Sequence, residues 1–160
     1  CPCGFRGTRS LECRCDDAHV AKYVGKLSGP LLDRIDLHVE VARVDFDEMV
    51  GKRTAESSHA IRVRVEAARA IQHRRYAGTS NPTNASLAGA DVRRYCTLGE
   101  DATALLRAAA TQGHLSARAL DRIVRVAQTI ADLANAGAID ATHVAEAIAY
   151  RTLERRGLAA

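Results

Sequence analysis

The stretch SARALDRIVRVAQTIADL, Ser116 to Leu133, decides how this chain folds. Its apolar residues Leu120, Ile123, Val124, Ala127 and Ile130, continued by Ala134, recur every three or four positions. That period lines them along one side of an α-helix. Ser116 can accept an open amide of the first turn through its hydroxyl, and Gly137 supplies a stop. A helix with a single apolar stripe must bury it against another element. Downstream, Asp140 starts a last helix that turns Val144, Ala147 and Ile148 inward. Upstream, Thr97 and Glu100 have capping-box spacing before Ala102, Leu105, Leu106 and Ala109, with Gly113 as the stop. Earlier still, a long helix is expected from about Thr54 to Arg75. Its inner face carries Ile61, Val65, Ala68 and Ile71 or Gln72, and residues 78–82 break it. The second two thirds of the chain therefore read as a helical bundle.

The first third reads differently. Residues 1–16 show no periodicity and form a loop or small knob, and Asp17 to Leu27 fit a short helix. Ser28-Gly29-Pro30 ends it, and Pro30 suits the first turn of another short helix carrying Leu31 to Arg34. Leu37, Val39 and Val41 then alternate with His38, Glu40 and Ala42, a period-two strand near 36–43. Such a strand has to pair with others. The chain also begins on Cys1, inside a cysteine cluster and without an initiator Met, so we read it as part of a longer protein.

The 160 residues are 47% hydrophobic and only 4% aromatic, with Trp absent, a balance that favours helices. The net charge of +4 is compatible with a polyanionic partner without demanding one. No apolar run approaches the roughly 18 residues that span a bilayer, and no leader is visible, so a soluble, cytoplasmic location is expected.

Cys1, Cys3, Cys13 and Cys15 follow C-x-C-x9-C-x-C, far from Cys96. Two close thiol pairs suit a closed structural Zn²⁺ site. Disulfides or free thiols are the competing readings, and His19 is a substitute ligand to consider. Arg118 stands in the first turn of the helix capped by Ser116, where a cation opposes the helix dipole but would complement a bound phosphate. The plain reading is a contact with Asp121 one turn on. Arg34 follows a proline-started turn that would hold it as an arginine finger requires. Its plain reading is a surface pair with Asp33 or Asp36. Arg62, Arg64, Arg69, His73, Arg74 and Arg75 make the long helix basic, yet they do not share one face.

The run Leu27 to Leu37, LSGPLLDRIDL, resembles the segment after the sensor-1 strand in the magnesium-chelatase-like AAA+ ATPases of the competence type. Cys1-Pro2-Cys3-Gly4 with Cys13 and Cys15 is similar to the cluster inserted before that segment in the same family. Leu115 to Ile123 and Ala127 to Leu133 resemble its lid helix, and His143 to Arg151 fits its ending. The resemblance implies the end of an AAA+ α/β core over 1–50, with the Cys-rich insertion at 1–16, and a helical lid over 51–160. It implies that Arg34 is an arginine finger reaching a neighbouring subunit's γ-phosphate, and that Arg118 is the sensor-2 arginine. It further implies ATP and Mg²⁺ as cofactors, a ring-forming homo-oligomer, a hexamer, and DNA as partner, with helicase or branch-migration work in natural transformation and recombination. No G-x-x-x-x-G-K-[ST] is present: Gly25-Lys26-Leu27 and Gly51-Lys52-Arg53 lack its other residues. This chain alone is therefore expected to be inactive. The alternatives are a non-enzymatic helical DNA-binding module with a zinc knob, or a magnesium-chelatase ATPase subunit.

Overall fold

Ser116 caps its helix as expected: its Oγ accepts the Ala119 amide at 3.1 Å. The computed structural model describes residues 1–7, 12–39, 41, 44, 46, 50–51, 55–113 and 115–151. Among these, seven α-helices form in the order α1 (Asp17–Val24), α2 (Gly29–Leu32), α3 (Ser58–Arg75), α4 (Gly89–Tyr95), α5 (Glu100–Gly113), α6 (Ala117–Leu133) and α7 (Ala141–Ala149). A 3₁₀ turn, Asn84–Ser86, precedes α4. The protein is mainly α, as the periodicities require; the turn and α4 are additions that those periodicities did not announce.

Helix α6 is the hub. Its buried line is Ala119, Ile123, Val124, Ala127 and Ala131, with Leu120 and Ile130 half-buried and Ala134 exposed. The stripe is thus rotated from the one that large residues suggest, because alanines at the contact let α7 and α3 come close. Val144 and Ala147 of α7, Ala102 of α5, Val92 of α4, Tyr76, Leu87, Cys96 and Ile139 complete the core. Helix α3 joins it only through its C-terminal half, where Ala68 and Gln72 are buried. Ile61 and Val65, expected inside, are exposed.

Two boundary expectations change. Thr97 and Glu100 do not form a capping box. The Thr97 carbonyl accepts the Ile139 amide at 3.2 Å, Leu98 bridges Ile139, and the Gly99 carbonyl takes the first intrahelical amide, from Thr103, at 2.9 Å. Glu100 is the first residue of α5, too early to be the third residue after a cap. Helix α6 ends at Leu133, and the residue that stops it is Asn135 rather than Gly137. Asn135 has φ 53°, and the Ala136 amide reaches back to the Ala131 carbonyl at 2.8 Å, with Asn135 N–H to Asp132 O at 3.1 Å. That pair of bonds is a Schellman stop, with Asn in the left-handed position usually taken by Gly.

The strand expected near 36–43 is not formed among the described residues; positions 40, 42 and 43 lie outside them. Residues 36–39 run over the bundle instead, and the His38 amide is donated to the Tyr150 carbonyl at 2.7 Å. A ladder needs a neighbouring strand to satisfy its backbone groups, and none is present among the described residues. Leu37, Val39 and Val41 are exposed.

Candidate functional site

The segment around Arg34 is fixed to the bundle by a series of bonds. Leu32, the last residue of α2, is 1% exposed. Ser116 Oγ donates to Asp33 Oδ2 at 3.0 Å while accepting its own helix's amide, so one hydroxyl both caps α6 and docks the loop. Arg151, itself buried, donates from Nη1 to the Ile35 carbonyl at 3.1 Å. Asp36 pairs with Arg122, and Arg125 Nη2 lies 3.8 Å from it. A carboxylate between two guanidiniums that are mostly shielded from water gains more than a fully exposed pair would.

These contacts decide what Arg34 and Arg118 do not do. Asp33 and Asp36, the carboxylates expected to neutralise Arg34 in a plain surface pair, are both committed elsewhere. Arg34 stays exposed, with Nη1 resting on the Pro30 carbonyl at 2.8 Å. Arg118 is also exposed and makes no hydrogen bond or ion pair among the described residues, so the one-turn contact with Asp121 is not made. The two arginines flank the same junction: Arg34 follows Asp33 directly, and Arg118 lies two residues beyond Ser116. The junction is held by Asp36, which sequence reasoning named only as a partner for Arg34, and by Arg122 and Arg151, which it did not single out. Their signal, charge at 36 against charge at 122, spans 86 positions.

The long helix loses much of its basic character. Arg64 is engaged bidentately by Glu56 at 2.9 and 3.0 Å, and Arg69 donates to Gln72. Arg75 turns inward onto Asp132, with Nη1 to Oδ2 at 3.0 Å. That carboxylate is fully buried and also receives Gln72, Asn84 and Gln128. The Asp132 hydrogen bonds push the Arg75 guanidinium further up, so its charge is permanent. Arg75 is therefore half-buried and taken up by the interior, while Arg62, His73 and Arg74 remain on the surface. A cleft of ≈ 260 Å³ between Leu37, Val126, Ile130, Leu133 and Tyr150 is lined by neither Arg34 nor Arg118.

Cys1, Cys3, Cys13 and Cys15 converge. Their Sγ atoms all lie within 4.8 Å of one another, and all are free thiols. The Phe5 amide, helped by neighbouring thiols and the Arg14 amide, holds Cys3 below the usual thiol range. Although the Cys15 amide pulls Cys13 down, lost hydration and the adjacent Cys3 leave it raised. His19 is not drawn in: its Nδ1 meets Asp16 Oδ2 at 2.9 Å, outside the thiol group.

The comparisons with known proteins agree along the chain. Residues 55–151 match the family described as magnesium chelatase, subunit ChlI C-terminal, and residues 1–49 match magnesium chelatase, subunit ChlI. The uncharacterized protein YifB of Salmonella typhimurium is 36% identical over 145 residues, 89% of this chain and 28% of that protein. An uncharacterized protein of Mycobacterium tuberculosis is 37% identical over 151 residues, 94% of this chain and 29% of its own length. The competence protein ComM of Haemophilus influenzae is 35% identical over 153 residues, 94% of this chain and 28% of its own. The chain thus spans less than a third of the curated relatives it matches. Among the described residues no helix is long and apolar enough to cross a membrane. With matches that run from residue 1 to residue 151, the chain belongs to the magnesium chelatase family, subunit ChlI.

Proposed function

We propose that this chain is the C-terminal part of an AAA+ ATPase, in which Arg34 acts as an arginine finger and Arg118 as the sensor-2 arginine. The observation that carries this reading is the Asp33–Ser116 junction. It fixes two exposed arginines at neighbouring places on the bundle while the carboxylates that would neutralise Arg34 are occupied. A guanidinium kept free of protein anions suits phosphate oxygens, which take its planar fork of donors. Arg34 reaches the nucleotide of a neighbouring subunit in a homo-oligomeric ring, a hexamer. On this reading residues 1–50 close the ATPase core and 51–160 form its lid. ATP is held mostly by segments outside this chain, as is Mg²⁺: among the described residues the metal-ligating groups that gather are the four thiols.

On this reading the work driven by hydrolysis is DNA remodelling in recombination, in keeping with the competence name carried by ComM, to which the chain is similar over 94% of its length. Engagement of Arg64, Arg69 and Arg75 within the chain speaks against the long helix as a DNA-binding face, and so against the non-enzymatic module. The family description favours a second reading, the ATPase subunit of a metal chelatase; on either reading we place the protein in the cytoplasm.

The test measures ATP turnover by the full-length protein. An arginine finger contributes about 10³–10⁵ in rate, so Arg34→Ala should abolish measurable turnover. Mixing it with a variant lacking the nucleotide-loop lysine should restore part of the activity, because each supplies what the other lacks across the interface. Normal turnover by Arg34→Ala would remove the finger assignment. DNA-stimulated turnover separates the DNA reading from the chelatase one.

A further inference from the structure

Among the described residues of 1–31, none is buried; Leu32 is the first side chain to enter the interior. The described residues of the knob and of helix α1 therefore form no hydrophobic core of their own. They are tied by the Asp16 cap on α1, whose carboxylate accepts the His19 amide at 2.7 Å, and by an ion pair between Arg6 and Asp17 at 2.9 Å. Both links are solvent-exposed, and exposed links of this kind contribute little. Something else has to order a loop that brings residue 1 back to residue 13.

We propose that Cys1, Cys3, Cys13 and Cys15 bind one Zn²⁺ in a closed tetrahedral site that orders this knob. The sulfur spacing carries the proposal. Cys1 and Cys3 Sγ are 3.5 Å apart, Cys3 and Cys13 3.6 Å, and Cys13 and Cys1 3.6 Å. Zinc–thiolate bonds of about 2.3 Å in a tetrahedron put neighbouring sulfurs about 3.8 Å apart, so this triangle needs to open by only a few tenths of an ångström. A disulfide would need sulfurs about 2.0 Å apart. The backbone around the thiols is shaped for the same end. The Gly4 amide closes a turn on the Cys1 carbonyl at 3.1 Å, and Gly4 and Gly7 hold φ 80° and 83°, which an L side chain rarely adopts. The Arg6 amide points at Cys1 Sγ at 3.3 Å, supplying the outer-shell donor that a metal-bound thiolate takes. Four soft thiolates select zinc over magnesium or calcium, and four protein ligands leave no open position, so the ion does no chemistry. Zinc binding displaces the thiol protons to solvent, and the metal stays divalent throughout.

The 160-residue chain, purified without added metal, should carry about one zinc ion per molecule by elemental analysis. Cys3→Ser and Cys13→Ser should each lower that content about tenfold or more, whereas His19→Ala should leave it unchanged. Replacing zinc by Co²⁺ should give the intense visible absorption of a tetrahedral thiolate site. In the chelator-treated protein the knob should be cut by protease within residues 1–16 while the helical circular dichroism of the bundle persists. A chain that carries no zinc and gives no cobalt–thiolate absorption overturns the proposal. So does loss of metal in His19→Ala, or iron in place of zinc. Metal content is read without nucleotide, so this site and the ATPase reading stand or fall separately.

Discussion

Cys96 shows what burial does to a single group. It lies 6% exposed in the core, beside Tyr76 and Val92, and desolvation is the chief cause that pushes its thiol up to about 11 from 9.0. A thiolate there would lose its hydration with little in return, so the side chain behaves as a small apolar residue. The sign of the pH effect follows. Below pH 9 the thiol is protonated in both folded and unfolded chains and contributes no pH dependence. Between pH 9 and 11 the unfolded chain releases the proton and the folded one keeps it, so stability falls as pH rises. The displacement amounts to roughly 2–3 kcal/mol across that window. Denaturant unfolding at pH 8, 9, 10 and 11 should show wild type losing about that much more than Cys96→Ala, whatever the variant's starting stability. Parallel pH curves for the two proteins would mean that the thiol is not held in its neutral form by the fold.

Between elements, the decisive contact is the one that joins α3 to α6. Asp132 has no exposed side-chain surface and receives Arg75 through both oxygens, with Gln72 from α3, Asn84 from the 3₁₀ turn and Gln128 from α6 around it. Asn84 in turn accepts the Tyr76 hydroxyl at 2.6 Å. Every acceptor position of the carboxylate is used, so removing it leaves a guanidinium and several amides without a partner. Breaking a buried pair from one side costs about 3–5 kcal/mol, and Asp132→Ala should lose that much by denaturant unfolding. A loss below about 1 kcal/mol would show that water replaces the carboxylate. This network also marks where the sequence stopped being legible. The caps at Ser116 and Asp140 could be read because a cap and its amides lie within three residues of each other. The stop at Asn135 was missed because a glycine two residues on is the commoner signal, and Thr97 was misjudged because its carbonyl is drawn to Ile139 across the fold. Arg75 and Asp132 are 57 positions apart, and each alone looks like a surface charge on an amphipathic helix. Ile61 and Val65 had the right period for an inner face, but period does not say how far along α3 the bundle extends.

On the scale of the whole molecule, the question is how firmly residues 28–39 are held to the bundle, since the finger proposed at Arg34 can be aimed only if its support is rigid. The strand expectation at 36–43 rested on alternation alone, and alternation cannot supply the neighbouring strand. What the sequence hid is that the same segment is held by side chains from α6 and by the end of α7. Its hold consists of Leu32, the Asp33–Ser116 bond, Arg151 on the Ile35 carbonyl, Asp36 with Arg122, and His38 on Tyr150. Among these Asp36 stands between the buried Leu32 and the terminal amide bond, and its two arginines are each 17% exposed. Asp36→Ala should therefore loosen the segment without melting the bundle, because Asp36 is not among the residues of the buried core. A partly shielded ion pair contributes about 1 kcal/mol, so hydrogen exchange at the His38 amide should quicken about fivefold while exchange in the middle of α6 stays as in wild type. In the full-length protein the same substitution should lower ATP turnover, and mixing it with the variant lacking the nucleotide-loop lysine should restore part of the activity, since the mixed ring then offers an intact finger to an intact nucleotide site. Unaltered exchange at His38 would mean that the remaining contacts hold the segment unaided. A drop in turnover that such mixing does not relieve would mean that Asp36 acts by a route other than the proposed finger.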